Sequence, residues 1–175
     1  MTDDPAYSAR RTQGGSGLRV VVSLAEQRLR LFKGAEVVAD YPVSTALNGA
    51  GEREGSGRTP RGRHTICEKI GDEAPRGTVF VGRRPSGDVC TPSAYAAAPK
   101  RDWILTRILW LDGLQPGFNR GGDVDSRSRY IYIHGTPDEE PMGVARSHGC
   151  VRMRNEDVVA LFGIVEVGTE VEIIE

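Results

Sequence analysis

Lysine is scarce in this 175-residue chain: Lys33, Lys69 and Lys100 stand against twenty arginines. With 24 acids the net charge is -1, so no overall polyanion-binding surface is expected and nucleic acid is excluded as a partner. Cysteine is also sparse. Cys67, Cys90 and Cys150 are an odd number with no C-x-x-C spacing, which excludes a disulfide framework and suits a reduced compartment or a working thiol. Long apolar runs are missing. The first, Leu18–Leu24, is broken by Arg19 and soon followed by Glu26, so no transmembrane helix is expected. Met-Thr-Asp-Asp-Pro carries acids where a secretion signal needs bases, and Arg10-Arg11 lacks the apolar stretch of a twin-arginine signal. These readings place the chain in the cytoplasm, without a membrane partner; a truncated N-terminus would make it periplasmic or cell-wall instead.

What remains is an ordinary globular composition. Hydrophobic residues are 38% and charged residues 27%, too apolar for disorder and too polar for a membrane protein. Such a length makes one domain with a core that needs no staples. Gly 22 and Pro 10 make the chain turn-rich, which argues against a helical bundle. Residues 1–17 end in Gly14-Gly15-Ser16-Gly17 and read as a disordered tail.

From Leu18 onward the pattern is one of short strands. Leu18, Val20 and Val22 alternate with Arg19, Val21 and Ser23; Leu29 and Leu31 alternate with Arg28 and Arg30. Glu36–Val43, Arg63–Ile70, Thr78–Val81, Arg129–His134 and Thr169–Ile174 read as further strands. Ser44–Arg58 and Asp112–Ser128 are Gly-rich loops, and residues 82–102 are an excursion from the sheet with room for one helical turn. Trp103–Leu111 is apolar and buried, and both Trp103 and Trp110 are assigned to the core. Asn155 is placed as the N-cap of a helix over Glu156–Phe162, with Gly163 as its stop. There is no β-α-β alternation, so a Rossmann-like parallel sheet is excluded. The fold expected is mainly β: a sandwich or barrel of mixed, mostly antiparallel strands with one or two short helices.

Two of the three histidines flank one cysteine. Tyr130-Ile131-Tyr132-Ile133-His134-Gly135-Thr136 is followed, after a polar loop, by Ser147-His148-Gly149-Cys150-Val151-Arg152-Met153. A thiol attacks only as thiolate, and a neighbouring imidazole can take its proton and return it to a leaving amine. Alternation puts Tyr130, Tyr132 and His134 on one face and Ile131 and Ile133 on the other. A cysteine after His-Gly sits in a tight turn whose amides can converge on an oxyanion. Two other readings stay open on the residues alone: Cys150 as a buried small hydrophobe, and a zinc site of His134, His148 and Cys150.

Ser-His-Gly-Cys-Val-Arg, preceded by Ile-His-Gly-Thr with residues 135–146 between His134 and Ser147, resembles the L,D-transpeptidase catalytic domain, also called the YkuD domain. Tyr41-Pro-Val-Ser-Thr45, Arg58-Thr-Pro-Arg-Gly-Arg-His64 and Val167-Gly-Thr-Glu-Val-Glu-Ile173 are similar to its other marks. The resemblance covers 18–175, which is taken as the catalytic domain. It implies Cys150 as nucleophile, His134 as general base and acid, and the Gly135 carbonyl as the group that orients the imidazole. It further implies an oxyanion hole of the His148, Gly149 and Cys150 amides. Arg152, Ser147, Tyr132 and Thr136 are then placed at the substrate, with Arg152 either holding a substrate carboxylate or paired with an acid such as Glu156. The resemblance implies attack on the diaminopimelate–D-Ala bond of peptidoglycan tetrapeptide stems through a Cys thioester, with carbapenem β-lactams as covalent inhibitors. No metal or other cofactor is implied.

The resemblance leaves the acceptor open. An amine from a second stem gives a 3→3 cross-link, and water gives a trimmed tripeptide. The expected cytoplasmic location favours water, an L,D-carboxypeptidase of wall recycling. A true cross-linking or D-amino-acid-exchanging enzyme, and a non-catalytic wall-peptide-binding module, are the alternatives. Part of 83–128 is expected to lid the pocket, with Arg83, Arg84, Arg107 and Arg120 near enough to meet substrate carboxylates. Cys67 and Cys90 are taken as inert and His64 as structural.

Overall fold

The computed structural model describes residues 17–175. The expected tail over 1–17 lies, apart from Gly17, outside the described residues. Ten strands follow one another as β1 (Leu18–Ser23), β2 (Arg28–Lys33), β3 (Glu36–Ser44), β4 (Gly62–Ile70), β5 (Thr78–Val81), β6 (Arg84–Val89), β7 (Leu105–Gly113), β8 (Tyr132–Gly135), β9 (Val151–Met153) and β10 (Glu170–Ile174). Among the described residues two α-helices interrupt them, α1 (Pro92–Ala97) and α2 (Asn155–Ile164). The sheet order is β4-β10-β1-β2-β3-β9-β8-β7-β5-β6, and a β4–β7 pairing closes the first eight strands on themselves. Closure removes the sheet edges that would otherwise invite aggregation. The β5–β6 hairpin hangs outside, joined through β7. Only β1–β10 and β8–β9 pair in parallel; the rest are antiparallel. The mainly β, mixed architecture expected from alternation is the one found.

The period-two pattern explains the core. Val20, Val22, Leu29, Leu31, Ile66, Val171 and Ile173 all point inward and are buried, while their charged neighbours face out. Helix α2 contributes Val158, Leu161 and Phe162 to the same cluster. Its carboxyl end is held by Lys69, whose Nζ donates to the Phe162 and Val165 carbonyls at 2.7 Å each. A cation at that end also suits the helix dipole. A second cluster, Val79, Trp103 and Leu105, seats α1 against the hairpin.

Four local expectations need correction. The strand expected over Arg129–His134 is only Tyr132–Gly135, because Tyr130 turns the chain at φ 56 and is left 51% exposed. Alternation therefore does not carry Tyr130 onto the face of Tyr132 and His134. Arg154, not Asn155, stands in the N-cap position of α2, and Asn155 is buried with its amide turned into the protein. Gly163 lies inside α2 and does not stop it; Lys69 rather than a left-handed glycine serves the last carbonyls. Trp110 is only half-buried, packed at the outer side of the barrel rather than in its core. The three-residue β9 and the hairpin strand β6 were too short or too exposed to show a period.

Candidate active site

The parallel β8–β9 register sets His134 beside Arg152 and Ile133 beside Val151. Cys150 directly precedes β9 and shares a face with Arg152 two residues on, so nucleophile and histidine lie on one face of adjacent strands. Cys150 accepts a hydrogen bond at Sγ from the Tyr132 amide at 3.3 Å, and its thiol donates to the Tyr130 carbonyl at 3.3 Å. It lines a cleft of about 760 Å³ together with His148, Gly149, Tyr132, Phe80 and Arg83. That size is ordinary for a small-molecule or peptide site.

His134 is 0% exposed, and its Nδ1 lies 2.6 Å from the Gly135 carbonyl. A carbonyl only accepts, so Nδ1 carries the hydrogen and Nε2 presents a lone pair. Nε2 is buried with no hydrogen-bond partner. The Gly135 peptide is fixed from behind. A Cβ at Gly135 would sit 2.5 Å from Asn155 Oδ1 and 2.6 Å from the Leu105 carbonyl, so only glycine fits. Thr106, at φ 73 in a register shift of β7, donates from Oγ1 to Asn155 Oδ1 at 2.5 Å and accepts from the Gly77 amide at 3.0 Å. Asn155 donates in turn to the Thr136 carbonyl at 2.9 Å. A β-branched residue in the left-handed region costs roughly 1–3 kcal/mol and persists only where its surroundings over-determine it.

Burial is the main cause of both perturbed acidities. It pushes the Cys150 thiol up to about 12, against the Tyr132 amide and the Arg152 and Arg129 charges, with Asp102 adding to the rise. It holds His134 below the usual imidazole range, against Asp102 and the Gly135 carbonyl. The resting pair is thus neutral thiol and neutral imidazole, which fits proton transfer during attack rather than a standing ion pair.

The other expected site residues divide into two groups. Tyr132 and His148 face the cleft; the Tyr132 hydroxyl accepts from Arg83 at 3.1 Å, and His148 Nδ1 lies 3.7 Å from Asp102. Gly149 adopts φ 141 and its amide donates to Ser147 Oγ at 3.2 Å, so in the resting turn that amide is already engaged. Ser147 and Thr136 are buried and do not line the cleft; Ser147 Oγ donates to the Cys150 carbonyl at 2.6 Å and shapes the turn. Arg152, with 7% of its side chain exposed, faces Asp102 at 3.4 Å and Glu140 at 3.8 Å, not Glu156, which pairs with Arg76. Among the described residues no group of three or more His, Cys, Asp or Glu could hold a metal, which removes the zinc reading of His134, His148 and Cys150. The three cysteines are free.

Sequence reasoning missed Asp102, Thr106, Arg129 and the inward role of Asn155. Arg129 lies on the cleft wall and donates to the Gly51, Glu52 and Arg58 carbonyls, pinning the 51–58 loop beside the thiol. No local pattern marks these residues; each acts through partners about twenty to eighty positions away.

A family model described as YkuD, the L,D-transpeptidase catalytic domain, matches residues 17–173. Over 125 residues the chain is 51% identical to the probable L,D-transpeptidase YbiS of Escherichia coli K12, a match covering 66% of this chain and 40% of YbiS. The chain thus spans less than half the length of that relative. In fold it is similar to an L,D-transpeptidase from Mycobacterium smegmatis, with TM-score 0.54 and 18% identity over 92% of this chain and 60% of the other. It is similar too to the L,D-transpeptidase LdtMt1 in complex with imipenem, with TM-score 0.53 and 16% identity over 91% and 60%. No helix among the described residues is long and apolar enough to cross a membrane.

Proposed function

This chain belongs to the L,D-transpeptidase (YkuD) catalytic-domain family, and from that premise we propose that it is a cysteine acyltransferase acting on peptidoglycan stem peptides. The observation that carries the reading is the fixed tautomer of His134: the Gly135 carbonyl holds Nδ1–H and leaves Nε2 as the only basic lone pair, on the face shared with a thiol that opens on a cleft. In the reaction, Cys150 Sγ attacks the carbonyl of the third stem residue while its proton passes to His134 Nε2. The imidazolium returns that proton to the departing amine of D-Ala, leaving a thioester. The Tyr132 amide, already on Sγ, supports the developing thiolate, and the turn around Gly149 offers amides to the oxyanion once substrate displaces their resting contacts.

An acceptor amine or water then attacks the thioester, losing its proton to Nε2, which passes it to the released sulfur. On the likeness to relatives named as L,D-transpeptidases, we assign transfer to an amine as the principal reaction. Hydrolysis, the reaction expected from the sequence, is the alternative and needs only water as acceptor. Carbapenems enter as acylating inhibitors of Cys150, as the imipenem complex of LdtMt1 suggests.

Product analysis tests the assignment. With a tetrapeptide stem and an added D-amino acid, loss of one D-Ala with exchange or dimer formation is expected. Tripeptide alone would make the protein an L,D-carboxypeptidase, and no release would make it a binding module. Cys150→Ser is expected to abolish turnover by a factor of at least about 10⁴ while keeping the fold.

A further inference from the structure

The cleft holds a cation that the chemistry at Cys150 does not use. Arg83, at the tip of the β5–β6 hairpin, is held at φ 65 with its guanidinium 4.8 Å from the Trp110 ring centroid and 4.9 Å from that of Tyr130. One of its N–H groups donates to the Tyr132 hydroxyl at 3.1 Å. Among the described residues no carboxylate lies within ion-pair distance of it. Of the other arginines near the site, Arg127 shares the Trp110 ring at 5.3 Å but does not line the cleft, and three are engaged. Arg129 donates to main-chain carbonyls, Arg152 faces Asp102 and Glu140, and Arg107 donates to the Ala74 and Thr106 carbonyls. A planar fork of five donors, stacked on two rings and using one donor, is pre-organised for a bidentate carboxylate.

We propose that Arg83 is a carboxylate-binding, specificity-determining residue that receives the side-chain carboxylate of the donor stem's third residue. The proposal rests on the acyltransferase reading above and deepens it. Tyr132 packs beside Cys150, and Arg83 meets that ring at its far, hydroxyl end. The guanidinium therefore stands about one tyrosine side chain away from the thiol, a span that a long side chain crosses more readily than the carboxylate of the adjacent D-Ala. Diaminopimelate, with a carboxylate at the end of its side chain, fits that geometry.

The test compares two tetrapeptide stems, identical except that the side-chain carboxylate of the third residue is free in one and amidated in the other. Wild-type protein should favour the free acid by about tenfold or more in kcat/KM, the range of a charge-assisted bidentate contact. Arg83→Gln should lose about that factor on the free acid, chiefly through KM, and stay within about twofold of wild type on the amide. Arg83→Lys, which keeps the charge without the fork, should retain a reduced preference and serves if Arg83→Gln does not fold. Equal wild-type rates on the two peptides, or an equal loss on both in the variants, would overturn the proposal and leave Arg83 a latch of the hairpin. Failure of wild-type protein to release D-Ala from either peptide would instead overturn the acyltransferase reading and this proposal with it.

Discussion

His134 and Cys150 sit on neighbouring strands, yet the structure surrounding each is of a different kind. Around His134 there is no exposed surface; the Gly135 carbonyl holds Nδ1, and Asn155, bonded to the strained Thr106, packs against the glycine from behind. Around Cys150 the floor is strand, from Phe80, Ile108 and Tyr132, but the rim is loop and hairpin tip, contributed by residues 54–57, 82–83 and 128–131. The base must keep one tautomer and one orientation through both half-reactions, and rigid strand packing supplies that. The nucleophile must meet a donor and then an acceptor, so its rim comes from segments that can yield. A single barrel thus carries a stiff half and a yielding half, divided between β8 and the turn before β9.

The largest way to break this division is Asn155→Ala. It leaves the Thr106 hydroxyl without its acceptor and the Thr136 carbonyl without its donor, both buried. Unsatisfied buried groups of this kind cost about 3 kcal/mol together. For a domain of this size that lowers Tm by roughly 10 °C. Freed from the packing behind it, the Gly135 carbonyl no longer fixes Nδ1–H, and kcat should fall by about tenfold to a hundredfold, with KM little changed. Scanning calorimetry and steady-state kinetics on one preparation read both effects. A Tm loss with kcat intact would reduce Asn155 to a packing residue.

The same division explains what the chain discloses as a string. Barrel strands are legible because Val20/Val22, Leu29/Leu31 and Val171/Ile173 alternate with charges, a local signal with a local cause. The family's marks around His134 and Cys150 are contiguous as well. The packing behind the imidazole is not: Thr106, Gly135 and Asn155 are joined by a register shift of β7, and no propensity marks a threonine bound for the left-handed region. Asn155 misled because an asparagine ahead of two acids looks like a cap; burial overruled the local preference. Arg83 stood out only as one of several arginines in a long excursion, and the aromatic partners that single it out come from β7 and the turn before β8.

A second, smaller effect sharpens the comparison through pH. His64 is buried on β4, its Nδ1 at the Gly62 carbonyl and its Nε2 2.9 Å from Ser126 Oγ, so it anchors the turn that leads into the yielding wall. Burial lowers its pKa from 6.5 to about 4, with the Arg129 charge acting the same way against the Gly62 carbonyl. A folded value below the unfolded one means the unfolded chain binds the proton more readily. Stability is therefore complete above pH 6.5 and is lost as pH falls toward 4. At pH 5.5 the loss from this group alone is on the order of 1 kcal/mol. His134, lowered by burial too, pulls in the same direction. Tm measured from pH 7 to 4.5 should decline, and His64→Gln, which keeps a donor and an acceptor without a titrating proton, should flatten the decline. An unchanged slope in that variant would move the acid sensitivity elsewhere.

The smallest effect isolates the yielding half by itself. Arg129→Lys keeps the positive charge beside Cys150 but gives up the fork that spans the Gly51, Glu52 and Arg58 carbonyls. One ammonium cannot reach all three, so the 51–58 loop should open locally at a cost of about 1 kcal/mol. Hydrogen exchange at the loop amides should then quicken by roughly fivefold, while the amides of Ile133–Gly135 keep their protection. The outcome turns on whether Arg129 braces a loop or the whole site. Faster exchange in β8 as well would mean that the two halves open as one unit, and that the imidazole and the thiol are stiffened by a common scaffold after all.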